Sequence, residues 1–195
     1  MKFKITGKNI LQVILFVHVM LALFDLRFLI LPWIYIGFNI WALATKPFGA
    51  QWVPSNMDKV RRMLEMADIK SGEILYDLGS GDGRVVTEAS RTYNAKAIGI
   101  EIDPIRVLIS KLKLKYNRLE NIQIKHANFY NVSLSNADVI TLYLLPETVN
   151  KLKSKFKKEL KKGTRIISLQ FPLKSWKPIK IDKKIVAYKV VKDDK

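Results

Sequence analysis

Two carboxylates and three glycines stand where they can hold a positively charged, nucleotide-like ligand. Asp77, Gly79, Gly81 and Gly83 alternate through YDLGSGDGRV (76–85), and Glu101 closes the next apolar run, AIGIE (97–101). Glycines so placed let the chain turn with positive φ and let a ligand approach main-chain atoms. A dinucleotide fingerprint, G-x-G-x-x-G, seats a pyrophosphate on a helix N-terminus. Here the order is D-x-G-x-G-x-G, and the leading acid repels a pyrophosphate and attracts an ammonium. No Gly-Lys-Ser/Thr follows, which excludes a P-loop. The distance to Glu101 suits one βαβ unit, which brings its carboxylate to ribose hydroxyls. An amine-seeking acid, a glycine loop and a ribose-seeking acid together describe a site for S-adenosyl-L-methionine (SAM). The competing reading makes Asp77 a turn residue and Glu101 an exposed strand end.

The elements that must position these groups alternate. Residues 73–76 read as a buried strand, and the helix after the loop opens at Val85, its free N–H groups facing the same space. Met57–Ala67 has apolar residues at helical spacing, with Ser55 or Asn56 as N-cap. Asp103-Pro104 opens the helix after Glu101. Further strands are expected at 122–125, 137–145 and 164–171, a lysine-rich helix at 148–160, and a terminal strand pair at 179–181 and 185–191. This order predicts an α/β, Rossmann-like doubly wound sheet with ligands at the strand carboxyl ends.

The chain has 195 residues, no cysteine and two histidines, His18 and His126, in unrelated segments. Disulfides, thiolate nucleophiles and Cys-ligated zinc are thereby excluded, and a metal site is not expected. Of the net charge of +17, the stretch 151–195 contributes +12, sixteen Lys/Arg against four acids. Such an end suits an anionic membrane or nucleic acid. Residues 10–24 and 28–44 are apolar on every face, split by Asp25-Leu26-Arg27. Each is near the short limit of the roughly 17–25 residues that span a bilayer. They predict a transmembrane anchor over 1–46, either a helical hairpin or one tilted span, ahead of a catalytic domain over 47–195. In the hairpin, the preferred form, Lys2, Lys4 and Lys8 stay with the catalytic domain on the cytoplasmic side. Trp33, Tyr35 and Trp41 are candidate interfacial anchors.

DLGSGDGR, GIEID and the strand ending HANFY resemble the seven-strand class I SAM-dependent methyltransferases over 70–195. WVPS before KVRRMLEMA, and LKSKFKKELKKGTRIISLQFPLKSW, narrow the resemblance to archaeal protein-lysine methyltransferases and their membrane-anchored mitochondrial relatives. Those relatives act on the ATP synthase c-subunit and the adenine nucleotide carrier. The resemblance implies a seven-strand sheet, SAM as cofactor and a protein lysine ε-amine as acceptor. It implies a cofactor site of Tyr76, Asp77, Gly79, Ser80, Gly81, Gly83, Glu101, Ile102, Asn128 and Phe129. Asn128 stands where many class I enzymes carry Asp. Tyr143, with Leu144 and Leu145, is expected at the transfer site, and Ser55 at the methionine end or the incoming amine. Trp52 and Trp176 either wall the lysine channel or pack in the core. Glu147 either accepts a proton or complements a helix dipole. The expected partners are a protein substrate, membrane proteins among the candidates, and an anionic lipid surface, with no nucleic acid expected. Two other acceptors remain open, a lipid amine and RNA, although no RRM- or KH-type signature is present.

Overall fold

A computed structural model describes residues 7–24, 27–45, 54–117 and 119–191. The chain divides into two compact units, Met1–Pro47 and Phe48–Lys195.

The first unit holds two helices that contact each other, α1 (Gly7–Phe24) and α2 (Arg27–Thr45). Their apolar side chains are largely exposed: Phe16 is 68%, Leu23 75% and Trp33 65% accessible. At about 1.5 Å per residue, helices of 18 and 19 residues fall just short of a hydrocarbon core of about 30 Å. The first turn of α1 is polar (Gly7-Lys8-Asn9), which shortens its apolar length further. Among the described residues no helix is long and apolar enough to cross a membrane. The spanning anchor expected over 1–46 is thus not found among the described residues. The expected turn at Asp25-Leu26 lies outside the described residues.

The second unit is a seven-stranded sheet in the order β3-β2-β1-β4-β5-β7-β6. Its strands are β1 (Ile74–Leu78), β2 (Lys96–Glu101), β3 (Ile122–His126), β4 (Val139–Leu142), β5 (Arg165–Leu169), β6 (Lys180–Asp182) and β7 (Ile185–Lys189). The first five are parallel, and β7 runs antiparallel between β5 and β6. Helices α3 (Met57–Ala67), α4 (Arg84–Tyr93), α5 (Pro104–Tyr116) and α6 (Pro146–Glu159) complete it. Side chains alternate across each strand, so the sheet has two cores. One joins Val60, Leu64, Val86 and Val107 of α3–α5 to Leu75, Val139 and Ile167. The other joins Leu152 and Phe156 of α6 to Leu78, Ile140 and Tyr188.

The sequence placed every strand and α-helix of this unit, with shifts of a few residues at the ends, and missed the 3-10 turn Phe129–Asn131. The fourth strand is shorter than expected, Val139–Leu142, because Tyr143 to Leu145 leave the ladder before Pro146 opens α6. That departure matters for chemistry, since residues past the strand end face the crevice. The crevice opens where β1 pairs with β2 on one side and β4 on the other, the switch point of a doubly wound sheet.

Candidate active site

The glycine loop, 79–83, connects β1 to α4. Gly79, Gly81 and Gly83 have φ of 81°, 56° and 79°, a region that side-chain-bearing residues rarely enter. The loop is held by backbone and carboxylate together. Gly79 and Ser80 N–H both donate to the Ile100 carbonyl, at 2.9 and 3.0 Å. The Glu101 carboxylate accepts from Gly81 N–H at 2.8 Å, and from Ile102 and Asp103 N–H at 2.9 Å each. Glu101 is 5% exposed. Three of its roughly four lone-pair directions are filled, which leaves room for one further donor such as a hydroxyl. Its first duty is therefore to clamp the loop, which the sequence did not show.

Asp77 lies in register with Gly99 of β2 and Thr141 of β4. It is 5% exposed, and its Oδ1 accepts a 2.8 Å hydrogen bond from the Thr141 hydroxyl. Burial pushes the Asp77 carboxyl up to about 7; Thr141 opposes the rise, while the negative charges of Glu101 and Asp82 add to it. A carboxyl poised there gains its charge when a cation arrives beside it. Asp82 goes the other way. Burial alone would raise it, but a bidentate Arg84 and Lys113 hold it at about 2.

Four supporting residues escaped the sequence reading. Arg84 grips Asp82 and also donates to the Ser55 carbonyl, tying the segment ahead of α3 to the loop. Ser110, fully buried on α5, donates to the Gly81 carbonyl at 2.9 Å. Gly99 permits the Ser80 side chain to lie across β2: a Cβ there would stand 2.7 Å from Ser80 Oγ and 2.8 Å from Ile124 Cδ1. Thr141 is the fourth. Its signal was present, a lone hydroxyl in the apolar run ADVITLYLL, whereas the others depend on contacts distant in sequence.

The remaining expected residues separate into lining and core. Ile102 and Asn128 are half-buried, with the Asn128 amide oxygen accepting from Tyr130 N–H at 3.0 Å. The exposed ring of His126 contacts the Ile102 carbonyl at 3.0 Å. Tyr76 and Phe129 are 5% and 7% exposed and pack in the α6-side core, covered by protein. Ser55 is half-buried, and it is Asn56 that caps α3, accepting from Asp58 N–H at 3.0 Å. Trp52 lies outside the described residues.

At the strand ends, Tyr143 Oη donates to Gln170 Oε1 at 2.9 Å. Gln170 sits just past β5 at φ 74°, and its N–H bonds the Lys184 carbonyl. A non-glycine residue held in that region stores strain of the kind found at functional sites. Glu147 is exposed in the first turn of α6. Trp176 does not join Tyr143: it packs on the α6-side core, edge-on to Tyr188 with centroids 6.4 Å apart, while Tyr143 packs against the opposite core.

These residues fit SAM on structural grounds. Two buried carboxylates flank a loop whose glycine N–H groups and positive φ values admit no side chains, and a Cβ on Gly79 would meet Leu144 at 3.1 Å. The comparisons agree. A profile for the ANTKMT methyltransferase domain matches residues 77–180. A protein-lysine N-methyltransferase of Saccharolobus islandicus is 39% identical over 134 residues, covering 68% of this chain and 83% of that protein. The mouse adenine nucleotide translocase lysine N-methyltransferase is 29% identical over 154 residues, covering 74% of this chain and 66% of its own length. A crystal structure of an RNA methyltransferase from Salinibacter ruber, in complex with S-adenosyl-L-homocysteine, superposes with a TM-score of 0.69 at 35% identity, covering 73% and 98% of the two chains. Fold, loop and profile converge: the chain belongs to the ANTKMT methyltransferase-domain family and is a class I, SAM-dependent N-methyltransferase.

Proposed function

We propose that the acceptor is the ε-amine of a lysine in a protein. The observation that carries this reading is the 39% identity to an archaeal protein-lysine N-methyltransferase across most of that protein's length. Bound SAM supplies a methyl group on a sulfonium, open to in-line displacement.

The chain's own residues have three tasks. Asp77 and Glu101 hold the donor end, one by charge and one by fixing the loop. The Tyr143 hydroxyl has spent its proton on Gln170, so it offers lone pairs to an incoming amine. It accepts an N–H and turns the nitrogen lone pair toward the methyl group. The third task is to receive the amine without its extra proton. With a solution pKa of about 10.4, neutralising a lysine near pH 7 costs roughly 4–5 kcal/mol. Desolvation among Tyr143, Leu144 and Leu145 favours the neutral amine, and exposed Glu147 relays the proton to water. In the transfer the nitrogen lone pair forms the C–N bond, the C–S pair leaves with sulfur, and the product is a methylated lysine and a thioether. Ser55, at the head of α3, completes the acceptor side of this proposal.

The two apolar helices add a location. Their exposed Leu, Ile, Phe and Trp side chains suit burial in lipid, where a membrane-borne acceptor protein would be at high effective concentration. Flotation of the full chain with phosphatidylglycerol vesicles tests this, and a chain that stays at the bottom of the gradient removes it.

The acceptor is tested by incubating enzyme and methyl-labelled SAM with source-cell membranes and cytosol. Label should run with protein and hydrolyse to methyl-lysine. The Salinibacter relative gives RNA a definite place as the second reading; label confined to RNA or to lipid overturns the lysine assignment.

A further inference from the structure

The Phe171-Pro172…Trp176 segment is the one sequence motif that the reacting end does not use. The structure shows where it went. Residues 173–176 are bound down on α6: Lys153 Nζ donates to the Lys174 carbonyl at 2.8 Å, and Lys174 N–H to Asn150 Oδ1 at 3.3 Å. From below, Leu173 N–H donates to Tyr188 Oη at 2.9 Å, and Trp176 N–H closes a turn on the Leu173 carbonyl. Ser175, at φ 66°, bends the loop over the helix. Between loop and helix lies a groove of about 500 Å³, lined by Lys151, Lys153, Ser154, Lys157, Ser175 and Trp176. No carboxylate is among the described residues that line it. Lys151, Ser154 and Lys157 recur at helical spacing, so their side chains share one face. A few other lysines of this chain are matched, Lys113 by Asp82, Lys155 by Glu159 and Lys161 by Asp138.

We propose that this groove docks an acidic stretch of the protein substrate beside the lysine to be methylated. The proposal rests on the lysine-methylation reading above. Its physical motive is the charge of the enzyme. At +17, the chain repels a segment whose reactive group is itself a cation, and carboxylates seated among ammonium groups that no carboxylate lining the groove among the described residues offsets reverse that repulsion. The groove is close enough to serve. Its helix begins directly after the Tyr143–Leu145 strand end, and at about 1.5 Å per residue Lys151 and Lys157 lie roughly 8 and 17 Å along α6 from Pro146. An extended peptide covers about 3.3 Å per residue, so the acids belong about two to five residues from the target lysine.

The test uses the full chain and two 15-residue peptides, each with one central lysine, flanked by glutamates or by serines. Wild-type kcat/KM should favour the glutamate peptide by about tenfold, mainly through KM, as electrostatic complementarity at a rim of this size provides. Lys151→Glu with Lys157→Glu should abolish that preference while leaving S-adenosylhomocysteine binding unchanged. Lys153 is spared because it fastens the loop. Equal rates on both peptides, or a preference that survives the double substitution, overturns the proposal. So does an oligouridylate of equal length that displaces the glutamate peptide and binds more tightly, which would make the groove a nucleic-acid site. If neither peptide is methylated, yet the glutamate peptide still shifts a fluorescence signal that Trp176→Phe removes, the groove stands and the lysine reading falls.

Discussion

The donor end and the acceptor end of the crevice are built differently. At the donor end, Asp77, Ser80, Gly81, Gly83 and Glu101 are all buried, and each turn of the loop is fixed by main-chain hydrogen bonds. At the acceptor end, Leu145, Glu147 and Gln170 are exposed, Tyr143 is half-buried, and one side-chain hydrogen bond joins Tyr143 to the strained Gln170. A ligand of constant shape rewards a rigid cradle, because preorganised groups lose little entropy on binding. A polypeptide acceptor needs a surface that is entered and left at every turnover.

The largest effect should come from the donor end's central clamp. Glu101→Ala strands three N–H groups, two of them buried, at about 1–3 kcal/mol for each buried one. Affinity for S-adenosylhomocysteine, measured by calorimetry, should fall by at least about 100-fold. An unchanged affinity would break the comparison outright. Gly99→Ala comes next: its Cβ pushes Ser80 off β2, and the cost of overpacking, about 1–3 kcal/mol, should appear as a roughly tenfold weaker cofactor with acceptor KM unchanged.

Asp77 supplies a test by pH. With its carboxyl at about 7 in the free protein, cation binding must first ionise it below that value. Cofactor affinity should rise with pH up to about 7 and then level off, and Asp77→Asn should be weak and flat. Stability follows the opposite sign: the folded state holds this proton more tightly than the unfolded chain. Its contribution is complete below about 4 and is lost as pH climbs to about 7. Thr141→Val removes the opposing hydrogen bond, so the affinity profile should move to higher pH. A profile that stays put would show that Thr141 only packs.

The smallest effects belong to the acceptor end. Tyr143→Phe removes one exposed hydrogen bond, about 1 kcal/mol, and should lower kcat about fivefold with cofactor affinity intact. Gln170→Gly relieves a left-handed residue and should raise the melting temperature slightly while lowering kcat. Loss of cofactor binding in either variant would merge the two ends into one unit.

Asp77, the alternating glycines and Glu101 were legible because each is forced by local chemistry. A backbone at positive φ needs glycine, and a cationic ligand needs an acid nearby. The same locality made the strands and helices readable from apolar spacing. The spanning anchor had weaker support in the sequence: apolar composition reports what a segment avoids, whereas crossing a bilayer is also a matter of length. Trp176 was readable as a motif but not as a place, since which sheet face it joins depends on where β7 inserts.

The sequence by itself determined the sheet's fold class and the cofactor, and it proposed the donor-side residues, because turn geometry and charge act over a few bonds. Only the tertiary structure decided that Glu101 clamps the loop, that Thr141 faces Asp77, that Arg84 joins Ser55 to Asp82 and that Trp176 sits over α6. Each of those is a contact between residues brought together by strand order and register, and no local pattern records them.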